Sequence, residues 1–278
     1  MKLTNKLIYL FCLSTFLFSA NSSATGPRVA PSLFVENKNM MYALQYPPFI
    51  DSNTQQHGLL FELINNVFNS EKMEGVINIL PSQNMVKYYF SQENALAMIG
   101  HDFNLNTIDR KKSLFIPVLV VDEYYFHYQP SFEQGLGWNG NLSSLKGKTY
   151  GANKGDDVSA YKKAGITVKY ARVTALLKQL QQGKLDIIRE PEITLNNLVN
   201  RFFPDQSSLF VKQEPKAGVM PMGIVFNTSH TDGKKTAKQF QAGLNKLITS
   251  GRYQEILHQH LGEQVNIEHF VKQLKGKY

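Results

Sequence analysis

The sequence predicts an α/β protein composed of two successive α/β units, and three observations lead to this prediction. Short apolar runs alternate with segments in which apolar residues recur every three and four positions, a pattern typical of strands alternating with helices. The same pattern begins again near residue 124. The chain has 278 residues, which is long enough for one large domain or two modest domains with their own cores.

The first unit reads as strand, helix, strand, helix and strand. Met40–Leu44 is an apolar run that the prolines at 47 and 48 terminate, because proline cannot donate a hydrogen bond to a sheet ladder. A helix is predicted next, with one apolar face on Leu59, Leu60, Leu63, Ile64, Val67 and Phe68. The remaining elements are a strand at Val76–Leu80, a weaker helical pattern at Met85–Phe90 and a strand at Ala95–Ile99. This order predicts a parallel α/β layer.

The second unit contains an extended segment at Tyr124–Tyr128 and strands at Lys148–Gly151 and Leu185–Ile188. Between these two strands, Thr174 is the expected N-cap of a helix that Gly183 closes. A tail follows, with a strand at Met222–Phe226 and helices at about 235–249 and 252–261. Local periodicity leaves open which of the two units this tail joins.

The composition indicates an ordinary globular protein. Hydrophobic residues make up 42% of the chain and charged residues 19%, which excludes a disordered polypeptide. The formal net charge is +8, but the basic residues are scattered, so we expect no nucleic-acid partner. The seven histidines are dispersed and the chain has no phosphate-binding Gly-rich motif, which predicts neither a metal site nor a cofactor.

Residues 1–24 have the three parts of a cleavable secretory signal. Lys2 and Lys6 precede an apolar stretch at Leu7–Phe18, and small residues follow up to Ala24. The apolar stretch is shorter than the roughly 20 residues of a membrane span. The single cysteine, Cys12, lies inside this segment, so the mature chain would have no disulfide. We therefore expect export to a bacterial periplasm, with nothing that anchors the mature chain in the membrane. We also expect a monomer.

Three loops are the candidate ligand-binding segments, because ligands bind outside the carboxyl ends of the strands in open α/β sheets. The first holds Tyr46 and Phe49, the second is Gly100–Thr107 with Arg110 shortly after it, and the third is Asn153–Asp157. A guanidinium, amides, backbone donors and an aromatic face suit a small zwitterion or carboxylate. Structural alternatives stay open: the two aromatic residues could pack in the core, Arg110 could be a solvated charge, and Asp156 and Asp157 could cap a helix.

Five short motifs occur in a specific order over essentially all of the mature chain. The motifs are Tyr46-Pro47-Pro48-Phe49 with Gly58 to Leu63; Thr107 to Arg110 with Phe115 and Pro117; Leu145 to Lys148 with Gly155; Gly183 to Asp186; and Gly223 to Phe226 ahead of Gly251 to Ile256. Through these motifs and their order, the chain resembles a bacterial periplasmic solute-binding protein of family 3, the polar-amino-acid type that serves ABC transporters.

The resemblance implies the type II periplasmic-binding-protein fold. Each of its two lobes is a mixed, mostly parallel sheet flanked by helices, and a hinge of two crossing strands joins them. By analogy the tail returns to the first lobe, so lobe 1 would comprise residues 25–122 and 222–278, and lobe 2 residues 123–221. The implied function is to bind a small polar solute, an amino acid or a related carboxylate, in a cleft that closes on it for ABC-type import.

The resemblance also implies roles for individual residues. Tyr46 matches a stacking aromatic residue, with Phe49 beside it, and Arg110 matches the arginine that binds the ligand carboxylate. His101, Asn104 and Asn106 match a loop that binds the same carboxylate or the amino group, although that loop is usually rich in Ser and Thr. Asp157 falls near a residue of lobe 2 that donates to the ligand. Glu190 or Glu192 would pair with the ligand ammonium.

Two alternatives to import remain. A few relatives on this scaffold are enzymes of the cyclohexadienyl-dehydratase type, and His101 with Asp102, or Glu190, could act as general acid or base. We expect no enzyme activity, because an isolated His beside an Asp is usually only a polar loop. The other alternative is a ligand sensor that docks on a membrane signalling receptor instead of an ABC permease. Both need the same closing cleft, and the sequence does not separate them.

Overall fold

A computed structural model describes residues 39–91, 95–100, 110–153, 156–263 and 265–276. The expected signal peptide therefore lies outside the described residues. The strands are β1 Met40–Leu44, β2 Val76–Leu80, β3 Ala95–Gly100, β4 Ser113–Tyr128, β5 Thr149–Ala152, β6 Thr167–Tyr170, β7 Ile187–Pro191 and β8 Phe210–Asn227. The helices are α1 Leu59–Ser70, α2 Gln83–Phe90, α3 Ser159–Lys163, α4 Val173–Gln181, α5 Glu192–Phe202, α6 Gly233–Thr249, α7 Arg252–Leu261 and α8 Ile267–Lys275.

The eight strands form one mixed sheet in the order β2-β1-β3-β8-β4-β7-β5-β6. At one end β1 runs parallel to β2 and β3, and at the other end β5 runs parallel to β6 and β7. Between these ends, β4 and β8 pair antiparallel over almost their full lengths. The parallel layer predicted for the first unit is confirmed, and a second parallel layer lies across the two long strands.

The first lobe is the part of the structure packed around β1, β2 and β3. Its core holds the apolar face of α1, which comprises Leu59, Leu60, Leu63, Ile64, Val67 and Phe68, all buried. Burying six such side chains contributes about 1.5–3 kcal/mol each. The helices of the tail share this core through Phe240, Leu244, Tyr253 and Ile256. The Tyr253 hydroxyl also donates to the carbonyl of Val118 over 2.9 Å.

The second lobe is the part packed around β5, β6 and β7. One of its clusters joins α4 and α5 to the sheet through Leu176, Leu177, Leu180, Leu195 and Leu198. A second cluster on the other face contains Tyr125, Tyr150 and Tyr161, and the last two rings stack with centroids 4.2 Å apart. The two lobes therefore have separate cores on either side of the long strands.

The long strands β4 and β8 connect the two lobes. Val118, Leu119 and Val121 of β4 belong to the core of the first lobe, whereas Phe126 and Tyr128 belong to the second. The register between the strands shifts twice, between Pro117 and Leu119 and between Glu123 and Tyr125. Such bulges bend a strand and increase its twist. The two bulges flank the part of β4 and β8 in which the chain passes from one lobe to the other, called the crossing segment below.

Two sequence-based expectations about the second unit are wrong in detail. Thr174 lies inside α4, whose N-cap is Arg172 without any side-chain capping bond. The strand expected at Leu185–Ile188 is found two to three residues later, as β7. Asp186 instead accepts a hydrogen bond from the backbone N–H of Thr149 over 2.6 Å, which fixes the turn before the strand. Across the described ranges, no helix has the length and apolar character needed to cross a membrane.

Asp122 ties the C-terminal helix α8 to the crossing segment. Its Oδ1 accepts hydrogen bonds from Lys216 Nζ and Gln273 Nε2, both over 2.7 Å. Its Oδ2 lies 2.9 Å from Nε2 of His269. Burial alone would raise the pKa of Asp122, but the hydrogen bonds from these three side chains lower it. One carboxylate thus joins β4, β8 and α8.

We expect Asp122→Asn to lower the free energy of unfolding by about 1–3 kcal/mol, because an amide offers one acceptor where the carboxylate offers two. Because the pKa of Asp122 is lowered in the folded protein, this difference should be present above its ordinary pKa and shrink as the pH falls through the folded value. Urea unfolding across pH measures it. Glu255→Gln, which removes only an exposed pair with Arg252, is the control and should change stability by less than about 1 kcal/mol. Equal stability of Asp122→Asn and wild type would contradict the role of Asp122.

Candidate functional site

The carboxyl ends of the parallel strands in both lobes meet at the crossing segment. Gly100, the last residue of β3, pairs with Gly223 of β8, which in turn pairs with Pro117 of β4. On the other side Pro191, the last residue of β7, pairs with Glu123 of β4. Side chains that follow these strands therefore approach one another from opposite lobes. This is where open α/β sheets bind ligands, outside the carboxyl ends of their strands.

Tyr46 and Glu190 form a hydrogen bond between the two lobes. The Tyr46 hydroxyl, which follows β1, donates to Oε2 of Glu190 over 2.9 Å, although 144 residues separate them in sequence. Nδ2 of Asn153, which follows β5, donates to Oε1 of Glu190 over 3.1 Å. Glu190 is only 3% exposed. Tyr46, Glu123, Asn153, Arg189 and Glu190 are called the interlobe site below.

The turn after β1 positions the Tyr46 side chain. The Tyr46 carbonyl accepts hydrogen bonds from the backbone N–H groups of Phe49 and Ile50, over 3.0 and 2.9 Å, and the Tyr46 ring stacks on Phe49. Gly58 has a φ of +94° and lies so close to this turn that a Cβ would stand 2.6 Å from the carbonyl oxygens of Pro48 and Phe49. The turn thus requires glycine at position 58, since a side chain would clash with backbone there.

Burial shifts the pKa values of the groups in the interlobe hydrogen bond. Loss of solvent raises the pKa of Glu190 to about 7, and the hydrogen bonds from Tyr46 and Asn153 offset only part of this effect. Burial and the adjacent Glu190 carboxylate raise the pKa of Tyr46 well above its ordinary value. Glu190 therefore changes its charge near neutral pH, whereas Tyr46 stays protonated.

Replacing Glu190 with glutamine should flatten the pH dependence of stability. The pKa of Glu190 is about 7 in the folded protein and 4.5 ordinarily, so the folded protein retains the proton between these pH values. The free energy of unfolding should then fall as the pH rises through this window, by roughly 3 kcal/mol in total, and level off above it. Urea unfolding of wild type and Glu190→Gln checks this. Profiles with the same slope from about pH 4.5 to about pH 7 would contradict it.

Arg189 and Glu123 form an ion pair beside the interlobe hydrogen bond. Nη2 of Arg189 contacts Oε2 of Glu123, whose side chain is 9% exposed. Burial raises the pKa of Glu123 more than the guanidinium lowers it. Gly218 of β8 leaves room for the guanidinium, because a Cβ at this position would overlap Nη2 of Arg189. The Glu123 carboxylate therefore balances the charge of Arg189 within the protein.

The sequence-predicted site residues lie in three different environments. Tyr46 and Glu190 meet in the interlobe site, whereas Phe49 is completely buried in the core of the first lobe. Arg110 is exposed just before β4. Asp157 is also exposed, and its Oδ1 accepts a hydrogen bond from the backbone N–H of Ser159 at the start of α3. His101, Asn104 and Asn106 lie outside the described residues.

Sequence reasoning missed Glu123 as a site residue and named Asn153 only as part of a loop. Glu123 is one of two adjacent acidic residues inside the largely apolar run of β4. Because a buried charge needs a partner, an acidic residue in such a run indicates an ion pair or a binding site. Glu192, the other candidate for pairing a ligand ammonium, pairs instead with Lys212 over 2.9 Å. Within the described part of the chain, His, Cys, Asp and Glu form no group of three that could hold a metal ion.

Comparisons with known proteins reveal similarity in structure but not in sequence. No protein-family model and no curated protein matches the sequence. The ligand-binding core of GluR0 from Nostoc punctiforme, solved with L-glutamate, matches with a TM-score of 0.63 at 14% identity, over 81% of this chain and 100% of its own. The arginine-, lysine-, histidine-binding protein ArtJ from Geobacillus stearothermophilus matches with a TM-score of 0.63 at 17% identity, over 84% of this chain and 100% of its own.

A histidine kinase sensor domain with similarity to periplasmic binding proteins also matches, with a TM-score of 0.62 at 14% identity, over 81% of this chain and 96% of its own. The chain has the two-lobe periplasmic-binding-protein fold. At these identities the likeness establishes the fold alone. In this periplasmic-binding-protein fold, Tyr46 belongs to the first lobe and Glu190 to the second, so the interlobe site joins the two lobes.

Proposed function

We propose that the protein binds a small polar solute, an amino acid or a related compound with an ammonium group, in the cleft between its lobes. The observation that carries this proposal is Glu190, a buried carboxyl group at the meeting point of the lobes. Its hydrogen-bond partners, Tyr46 and Asn153, are both neutral. Among the described residues Glu190 takes part in no ion pair, and a buried carboxylate without one is stabilised by a ligand cation.

Closure of the lobes on the ligand would follow from where these groups lie. Tyr46 is on one lobe and Glu190 and Asn153 are on the other, so a ligand can contact both sets only when the lobes approach each other. A ligand with differential affinity for the closed arrangement shifts the population toward it. The hinge in this proposal is the crossing segment of β4 and β8, with lobe 1 at residues 25–122 and 222–278 and lobe 2 at 123–221.

The proposed setting is the bacterial periplasm, reached with the signal at residues 1–24. One structural neighbour is described as the second substrate binding domain of a putative amino acid ABC transporter, and another is a histidine kinase sensor domain. Import and sensing therefore both have a precedent on this fold. The GluR0 core and ArtJ both bind ligands, which favours binding over catalysis.

A thermal-shift screen of the twenty amino acids, short carboxylates and small amines tests the proposal. A ligand at about 100 times its dissociation constant should add about 2.7 kcal/mol to the free energy of unfolding. Glu133→Gln, which changes an exposed residue of the second lobe, is the control and should respond as the wild type does. If no compound stabilised the folded protein, the proposal would fail.

Arg110 is proposed to bind the carboxylate of the ligand, and His101, Asn104, Asn106 and Asp157 are proposed as further ligand-binding residues. We expect Arg110→Ala to weaken binding of a carboxylate ligand at least about tenfold, because hydrogen bonds to charged groups contribute about 1.5–3 kcal/mol. Lys111→Ala, which removes a neighbouring exposed charge, should leave the affinity within about twofold. Titration calorimetry with the ligand from the screen measures both. Equal losses in the two variants would assign Arg110 only a general electrostatic effect.

A further inference from the structure

The described hydrogen-bond partners of Glu190 are neutral, whereas two other carboxyl groups lie near it. Tyr46 donates to one of its oxygens and Asn153 to the other. Besides Tyr46, the described ionisable groups nearby include Glu123 on β4, Asp156 in the loop after β5 and Arg189 on β7, and the two carboxylates disfavour a charge on Glu190. Arg189 is already paired with Glu123, and no other described cation forms an ion pair with Glu190.

The adjacent carboxyl groups differ from Glu190 in what surrounds them. Glu123 has Arg189 as its ion-pair partner. Asp156 has an exposed side chain, and its Oδ2 accepts a hydrogen bond from the backbone N–H of Asn153 over 2.8 Å. Each of these groups has either an opposite charge or contact with solvent, whereas Glu190 is buried and forms no ion pair with any residue that the structure describes. Glu190 is therefore the carboxyl group whose ionisation depends most on what enters the interlobe site.

We propose that ligand binding exchanges a proton on Glu190 for a cationic group of the ligand. The O–H proton of the Glu190 carboxyl group leaves to solvent, and an ammonium or guanidinium N–H of the ligand donates to the resulting carboxylate. The inference rests on the proposed function and adds to it a regulation of binding by pH. The ligand carries a positive charge at this position, and its affinity rises with pH.

The physical basis is the coupling between the charge of the ligand and the charge of Glu190. With its pKa near 7, the buried carboxyl group is largely protonated in slightly acidic solution. A cation in contact with it favours the ionised form and lowers its pKa in the complex. Binding from slightly acidic solution must then release close to one proton per ligand, and binding from alkaline solution almost none. A neutral or anionic group at this position would release no proton.

Titration calorimetry of the wild-type protein with L-arginine, L-lysine and glutarate tests the proposal. Each titration is done in two buffers of different ionisation enthalpy, at about pH 6 and about pH 8, because the difference between buffers gives the number of protons released. We expect a basic amino acid to release close to one proton at the lower pH and to bind about tenfold more tightly at the higher pH. Glutarate, a dicarboxylate without an ammonium group, should release no proton at either pH and bind more weakly than L-arginine and L-lysine at both pH values.

Glu190→Gln keeps the size of the side chain and its ability to accept from Tyr46 or Asn153, and it should abolish both proton release and the pH dependence. Glu133→Gln should retain both. Binding of a basic amino acid without proton release, or the same proton release on binding of glutarate, would overturn the proton exchange and leave the binding function standing. If the thermal-shift screen finds no ligand of any kind, the binding function itself fails and the exchange fails with it.

Discussion

Arg189→Met should destabilise the protein by about 3–5 kcal/mol, because it leaves the Glu123 carboxylate buried without a partner. The methionine keeps most of the volume of the arginine stem, so the loss reflects charge more than packing. Without the guanidinium the pKa of Glu123 should rise further, since burial already raises it. The deficit should therefore be largest at alkaline pH and decrease in acid, where Glu123 is protonated. Urea unfolding at alkaline and at acidic pH measures the loss of stability.

The matched control is the double variant Arg189→Met with Glu123→Gln, which removes both charges. We expect it to recover most of the stability lost in the single variant, because replacing both members of a buried pair costs far less than removing one. If the double variant were as unstable as Arg189→Met alone, packing around Arg189 rather than the ion pair would explain the loss.

Gly223→Ala should lower the free energy of unfolding by at least about 3 kcal/mol, because it forces β4 and β8 apart at the crossing segment. A Cβ at this position would overlap the carbonyl oxygen of Ile116 and stand 2.8 Å from Cα of Pro117 and 2.9 Å from the backbone nitrogen of Val118. All three atoms belong to the backbone of the bulge in β4, so no side chain can move aside. Urea unfolding measures the loss.

Gly218→Ala tests the same change five residues earlier in β8. There a Cβ meets the end of the Arg189 side chain, which can move by rotating, rather than backbone. We expect a smaller loss of stability than for Gly223→Ala, together with a weaker Arg189–Glu123 pair. Equal losses of stability at the two positions would show that the close approach of Gly223 to the bulge does not account for the effect of Gly223→Ala.

Local pattern was sufficient to predict most elements of the first lobe. Met40–Leu44 and Val76–Leu80 were predicted with the bounds that the structure has, and the apolar face of α1 packs in the core as its spacing indicates. These predictions succeed because a short apolar run or a three-four repeat is produced by neighbours in the sequence. The order of elements then limits the topology, since parallel neighbours need a crossover connection between them.

The full length of β4 and β8 was not predictable from such patterns. Pro117, Asp122 and Glu123 interrupt the apolar run of β4, and Glu214, Pro215 and Lys216 interrupt that of β8. Each interruption resembles the end of a strand in the sequence. In the folded protein the two strands continue through these residues because bulges and the contacts of Asp122 and Glu123 accommodate them.

The amino-acid sequence alone determined that this protein is α/β, where most strands and helices of the first lobe lie, and which loops follow the strands. These properties depend on residues close together in the chain, whose spacing decides which side of an element is apolar. Only the tertiary structure decided that Tyr46 meets Glu190 and that Arg189 is paired with Glu123. Those pairs join residues 144 and 66 positions apart, and sheet order and strand register bring them together.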